Sequence, residues 1–368
     1  MTMKWKNQLT GMKPYQPGHS TDEVKKMFGL DTIVKLASNE NPLGFSIKVS
    51  EFLENQSINH AIYPDGYASG LRQALAKSLG VDQNQLLFGN GSDEIIMMIS
   101  RALLQPGVNT IMATPTFPQY RHNAVIDGAE VREVQLKNGA HDLQEMAQQI
   151  DENTAVVWLC SPNNPTGLLI DQHELEEFIQ KVPKEVLVVL DEAYFEYITD
   201  PSYKNSTTLL KDHDNVIVLR TFSKAYGLAG FRVGYAVAQK ELIARLDPVR
   251  EPFNNTVTSQ GAALVALKDS SFIEACRIQN ESGKKQFEDY ANTHNLHMYP
   301  TQGNFVLLEV KADADLVFDG LMKKGFIIRS GNALGTPGYI RVTIGTTQQN
   351  EEFLQKLTDV LKDAEVFA

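Results

Sequence analysis

Val216-Ile217-Val218-Leu219-Arg220-Thr221-Phe222-Ser223-Lys224-Ala225-Tyr226-Gly227-Leu228-Ala229-Gly230-Phe231-Arg232 is the stretch that decides how this chain is read. Its apolar start predicts a buried strand. A lysine stands just past the strand, flanked by hydroxyls, then glycines, then an arginine. Such a lysine can form a Schiff base with an aldehyde cofactor, while its neighbours hold an anionic group. Alone, the run fits an ordinary strand and a solvated lysine equally well.

The same pattern recurs upstream. Leu86-Leu87-Phe88, Thr110-Ile111-Met112-Ala113, Ala155-Val156-Val157-Trp158-Leu159-Cys160 and Val186-Leu187-Val188-Val189-Leu190 are continuous apolar runs rather than alternating ones. Strands buried on both faces read this way, as in a parallel sheet covered by helices. The later spacers each hold one crossover helix, for example Gln172 to Lys181. Glu94 to Leu104 reads as an apolar helix.

The ends read differently. Residues 1–35 contain turns and one short helix, with Ser20 and Glu23 as its capping box. A long helical stretch is expected from about 256 to 293, then strands at 304–308 and 339–344, then a helix from about 350 to 363. The expected organisation is an N-terminal arm (1–35) joining a small α+β domain (256–368), and a large α/β domain (36–255).

Length and composition narrow the function. The 368 residues suffice for two domains. Hydrophobic content of 42% and charged content of 21% are ordinary for a globular protein. A formal net charge of −11 disfavours a nucleic-acid partner. The start, Met1 to Asn7, lacks the apolar core of a signal peptide, and no apolar run approaches a membrane span. Cys160 and Cys276 cannot make a disulfide framework, so a cytoplasmic setting is expected. His294 and His297 can share a helix face but lack a third ligand, so no metal site is expected.

Four strands end in unusual polar residues, and in open α/β sheets ligands sit at the carboxyl ends of strands. Gly89-Asn90-Gly91-Ser92-Asp93-Glu94 leads from a strand into a helix. It is either a phosphate cradle of backbone N–H groups or a capped turn. Ser161-Pro162-Asn163-Asn164-Pro165-Thr166-Gly167 places an amide pair after a buried strand, where Asn164 can donate to a phenolate-like oxygen. Asp191-Glu192-Ala193-Tyr194 offers a carboxylate for a protonated ring nitrogen, or a turn cap. The Lys224 run adds Ser223 and Arg232 as phosphate contacts. Together these parts match pyridoxal 5'-phosphate. Phe117 supplies a ring that can stack on it.

The runs 161–167, 191–194 and 221–232 resemble the signature of the fold-type I aminotransferases. Pro14-Tyr15-Gln16-Pro17-Gly18, Ser38-Asn39-Glu40-Asn41-Pro42-Leu43-Gly44 and Tyr63-Pro64-Asp65-Gly66 resemble histidinol-phosphate aminotransferases in particular. The resemblance implies a large domain with a seven-stranded, mostly parallel sheet. It makes Lys224 the Schiff-base lysine and Asp191 the partner of the pyridinium nitrogen. Asn164 and Tyr194 would contact the ring oxygen. Gly91, Ser92, Asp93, Ser223 and Arg232 would hold the phosphate. Tyr63 would reach the phosphate of a neighbouring subunit in a homodimer. Tyr15, Arg329 and Arg341 would receive the anionic end of the substrate.

The implied reaction is transamination of L-histidinol phosphate with 2-oxoglutarate, in histidine biosynthesis. Phe117 stands where many relatives have tyrosine, and Pro252-Phe253-Asn254-Asn255-Thr256 only roughly matches the family's substrate loop. Aromatic amino acids as substrates, or decarboxylation of phosphothreonine, remain alternatives within the same fold. A cofactor-binding regulator would need an added DNA-binding segment.

Overall fold

A computed structural model describes residues 3–14 and 20–366. Tyr15 lies outside the described residues. The strands in chain order are β1 (Val34–Lys35), β2 (Leu86–Gly89), β3 (Asn109–Thr114), β4 (Glu130–Gln135), β5 (Thr154–Cys160), β6 (Leu187–Asp191), β7 (Val216–Thr221), β8 (Gly234–Ala238), β9 (Phe305–Glu309), β10 (Phe326–Ile327), β11 (Arg329–Ser330) and β12 (Tyr339–Thr343). The helices are α1 (Thr21–Phe28), α2 (Ile47–Asn55), α3 (Ser69–Leu79), α4 (Ser92–Leu103), α5 (Gln119–Asp127), α6 (Leu143–Gln148), α7 (Gln172–Lys181), α8 (Lys240–Leu246), α9 (Val257–Leu267), α10 (Ser270–His294), α11 (Ala314–Lys323) and α12 (Thr347–Asp363).

Seven strands form one sheet in the order β2-β8-β7-β6-β5-β3-β4. Only β8 runs against the rest, pairing antiparallel with both β2 and β7. The central strands bury alternate residues on opposite faces. Val157 and Leu159 of β5 pack with Val188, Leu190 and Val218 on one side. Val156 and Trp158 pack with Val189, Ile217 and Leu219 on the other. Both faces are covered, which is why these strands read as unbroken apolar runs. Edge strand β4 buries only Val134 and carries charge, so it gives no such signal.

A second core lies under the antiparallel sheet β11-β12-β9. There Val306, Leu308, Ile340 and Val342 meet Phe287, Val317, Leu321, Phe353 and Leu357 from α10, α11 and α12. Strand β1 pairs in parallel with β10, and Val24 of α1 packs with Met322 and Ile327. The Ser20–Glu23 capping box is formed at the start of α1.

Three expectations are corrected. The helical stretch after 256 is two helices, broken at Lys268-Asp269. The Asp269 carboxylate is drawn out of helical geometry by Ser46, Lys48 and Ser271. The first of the two, α9, buries Ala262, Ala263 and Ala266 in the core of the large sheet, so a boundary at 256 falls before a helix of that layer. His297 lies beyond the end of α10 rather than on a shared helix face, with Nδ1 3.1 Å from the Tyr339 hydroxyl. Among the described residues no helix is long and apolar enough to cross a membrane.

Candidate active site

The carboxyl ends of β2, β3, β5, β6 and β7 converge on one cavity of about 580 Å³, closed from the other side by residues near β11 and β12. Lys224, Asp191, Tyr194, Asn164, Phe117, Ser92, Asp93, Ser223, Arg232, Arg329 and Arg341 all line it. Register explains part of this: Cys160 of β5 pairs with Asp191 of β6, and Asp191 with Leu219 of β7. The residues just past each strand therefore end side by side.

Lys224 Nζ donates to the Ser38 carbonyl at 2.9 Å and sits 5.8 Å from the centre of the Tyr194 ring. Burial, and then the Arg341 charge, lower its pKa to about 8. A neutral amine is thus accessible near neutral pH, as nucleophile or base.

Asp191 is buried, and burial raises its pKa to about 6. Tyr120 opposes that rise, donating its hydroxyl to Asp191 Oδ2 at 2.6 Å. The Tyr120 ring stacks on Trp158 at 4.9 Å and meets Phe117 edge-on at 5.6 Å. Tyr120 was not expected from the sequence. A tyrosine on the buried side of a helix reads as core, and nothing local marks its hydroxyl.

Burial pushes the Tyr194 phenol up, so it stays an O–H donor. Asn39 Nδ2 donates to its oxygen at 2.9 Å, leaving the hydroxyl proton for a ligand. Arg341 Nη1 donates to Asn164 Oδ1 at 2.6 Å, and Nη2 to the Ala37 carbonyl at 2.6 Å. With its oxygen engaged, Asn164 has Nδ2 left to donate. The segment 37–39 is thus part of the site, although the sequence assigned it no contact.

The candidate anion cradle is built from two pieces of backbone. Arg232 has a left-handed φ of 55°. Its Nη2 lies 3.4 Å from Asp93 Oδ2 and its Nη1 3.5 Å from Ser223 Oγ. A Cβ at Gly91 would come within 2.5 Å of Arg232 Nη2, and one at Gly234 within 2.4 Å of the Ser92 nitrogen. Both glycines allow the N-terminus of α4 to approach the arginine, concentrating positive potential there.

Tyr63 is not in the cavity wall. It is 79% exposed and stacks on Phe253 at 4.6 Å.

Residues 31–357 match the model of the aminotransferase class I and II family. The chain belongs to that family. This aminotransferase is 58% identical over 366 residues to the histidinol-phosphate aminotransferase of Lysinibacillus sphaericus (strain C3-41), covering 100% of both chains. It is 53% identical over 360 residues to the histidinol-phosphate aminotransferase of Bacillus subtilis (strain 168), covering 98% of this chain and 100% of that one. Its fold matches the crystal structure of histidinol-phosphate aminotransferase from Sinorhizobium meliloti in complex with pyridoxal-5'-phosphate, with a TM-score of 0.90, 24% identity and 99% of each chain covered. An aminotransferase moves an amino group between an amine and a keto compound, and a lysine and a buried carboxylate lining one cavity suit that chemistry.

Proposed function

We propose that this aminotransferase binds pyridoxal 5'-phosphate and transfers the amine of L-histidinol phosphate to 2-oxoglutarate, giving imidazole acetol phosphate and glutamate. The full-length identity to curated histidinol-phosphate aminotransferases carries the choice of substrate. The donor set supports the cofactor. It combines one amine of lowered pKa, one buried carboxylate, two donors for a ring oxygen, and a glycine-lined cradle backed by Arg232.

When bound, the cofactor supplies an aldehyde for amines and a ring that accepts the electron pair left at the substrate carbon. Lys224 Nζ removes the proton from the carbon bearing the amine and later returns a proton. Asp191 holds a proton on the ring nitrogen, which keeps the ring a sink for electrons. Tyr194 and the Asn164 amide donate to the ring oxygen. Ser223, Arg232 and the first turn of α4, from Gly91 through Asp93, hold the phosphate, and Phe117 packs on the ring face. Arg341 and Arg329 receive the substrate's phosphate in one half-reaction and carboxylates in the other, because guanidinium forks fit both. We assign Tyr15 to the same substrate contact.

We further infer a homodimer in which Tyr63 reaches the cofactor phosphate of the neighbouring subunit. The exposure of Tyr63 and its outward stack on Phe253 support that role. Two free, buried cysteines suit a cytoplasmic enzyme.

The deciding measurement is turnover of purified, cofactor-loaded protein on histidinol phosphate, phenylalanine and phosphothreonine, each with 2-oxoglutarate. Glutamate formation fastest with histidinol phosphate is expected. A higher kcat/KM on phenylalanine, or carbon dioxide released from phosphothreonine, would replace this reading.

A further inference from the structure

The loop Pro252–Thr256 has no part in the reaction as described above, yet its asparagines touch both halves of the anion cradle. Asn255 is 3% exposed, and its Nδ2 donates to the Gly89 carbonyl at 3.0 Å and to the Arg232 carbonyl at 3.4 Å. Those carbonyls belong to the turn before α4 and to the left-handed arginine. Asn254 reinforces the first half. Its Nδ2 donates to the Phe88 carbonyl at 3.0 Å and to Glu94 Oε2 at 2.7 Å, and the same Glu94 oxygen accepts from the Asn90 N–H. Gln260 fixes the clamp in turn, donating to the Asn255 carbonyl at 3.0 Å.

Two features make this more than packing. First, a non-glycine residue in the left-handed region is held there by its surroundings, and the Asn255 amide bonds the backbone carbonyl of Arg232 itself. Second, the two tethered pieces are not sequence neighbours. Gly89 pairs with Gly234 across β2 and β8, and Arg232 Nη2 lies 3.4 Å from the Asn90 carbonyl; the Asn255 amide adds a further tie, made to the backbone carbonyls of both pieces. A single side-chain amide with two donors is suited to hold two carbonyls at a fixed separation.

We propose that Asn255 is a positioning residue for the cofactor phosphate: its amide pins the Gly89 and Arg232 carbonyls so that the α4 N-terminus and the Arg232 guanidinium converge on one point. The proposal rests on the cofactor reading above. Asn255 touches no ligand itself and acts through these two backbone groups.

The test compares two ligands on cofactor-free protein: pyridoxal 5'-phosphate, and pyridoxal, which lacks the phosphate. Dissociation constants are read from the visible band of the bound aldehyde. In Asn255→Ala, loss of a buried two-acceptor amide should weaken pyridoxal 5'-phosphate binding by about tenfold or more and pyridoxal binding by less than about threefold. Asn255→Ser keeps one donor and covers the case in which the alanine variant does not fold; it should show a smaller loss with the same preference. Equal losses for both ligands would mean a packing role only, and no loss for either would mean no role; each overturns the proposal. Wild-type protein that binds neither ligand would overturn the cofactor reading itself.

Discussion

The Tyr120 hydroxyl donates to Asp191 Oδ2 at 2.6 Å, and the Tyr120 ring meets the Phe117 ring edge-on. One residue thus holds both the carboxylate proposed above for the ring nitrogen and the ring proposed above for the cofactor's face. Tyr120→Phe should keep the fold, because the stack on Trp158 survives. It removes a donor that lowers the Asp191 pKa, so that pKa rises from about 6. The acid limb of the kcat profile should then move to higher pH, with a roughly tenfold loss of turnover near neutrality. An unmoved acid limb would deny Tyr120 this role.

Asp191→Asn should still take up cofactor while losing about a hundredfold or more in turnover, because a neutral amide cannot hold the ring-nitrogen proton. Cofactor-free protein offers a separate check. The folded carboxyl titrates at about 6 against 3.8 for the free side chain. The folded state therefore keeps a proton that the unfolded state has lost, and this group's contribution to stability falls as pH rises between those values. Thermal unfolding from pH 4 to 7 should show Asp191→Asn gaining on wild type as pH rises.

Lys224→Ala should abolish the visible band of the loaded protein and cut turnover by roughly a thousandfold or more. In cofactor-free wild type, acylation at Lys224 should rise with a midpoint near pH 8, where the amine loses its proton. Surface lysines provide the internal reference, with midpoints near the usual value of about 10.4. Peptide mapping across pH reads both.

Arg341→Lys keeps a charge but loses the fork that bridges Asn164 and Ala37. A point charge cannot serve both acceptors and the substrate anion. KM should rise about tenfold or more for histidinol phosphate and for glutamate alike, while cofactor affinity changes far less. A rise confined to one substrate would separate the roles of Arg341 and Arg329.

Sharing of Tyr63 between subunits predicts complementation. Tyr63→Ala and Lys224→Ala homodimers should each be nearly inactive. After unfolding and refolding together in equal amounts, about a quarter of wild-type activity should return, because half the dimers carry one intact site. Failure to recover activity would argue that Tyr63 serves its own subunit.

The chemistry was legible where burial and polarity collide. Asp191 ends a strand buried on both faces, and Lys224 and Asn164 follow such strands, where a buried polar group is costly unless it is bonded and so stands out in the sequence. Tyr120 was not legible, since its hydroxyl has meaning only once β6 lies beside it. Strand β8 was missed because Gly234-Tyr235-Ala236-Val237-Ala238 is short and pairs antiparallel inside a parallel sheet. The break between α9 and α10 depends on Ser46 and Lys48, far away in sequence. Asn255 was read only as part of a loop roughly matching the family's substrate loop, because its two carbonyl partners, at Gly89 and Arg232, are not its sequence neighbours.

Residues 36–39 stitch the molecule together. Leu36 and Asn39 bond to Thr343, the Asn39 carbonyl accepts from Asn304, and the Ser38 carbonyl accepts from Lys224, over separations of 186 to 304 residues where side chains are involved. Contacts so distant along the chain are slow to form, because loop closure must precede any gain from them. The large sheet, whose β5, β6 and β7 neighbours are close in sequence, is expected to assemble first. An early segment must then wait for β9 and β12 before the cavity closes. Amine-binding competence, followed during refolding, should therefore lag behind the recovery of sheet structure and mark the last step of folding.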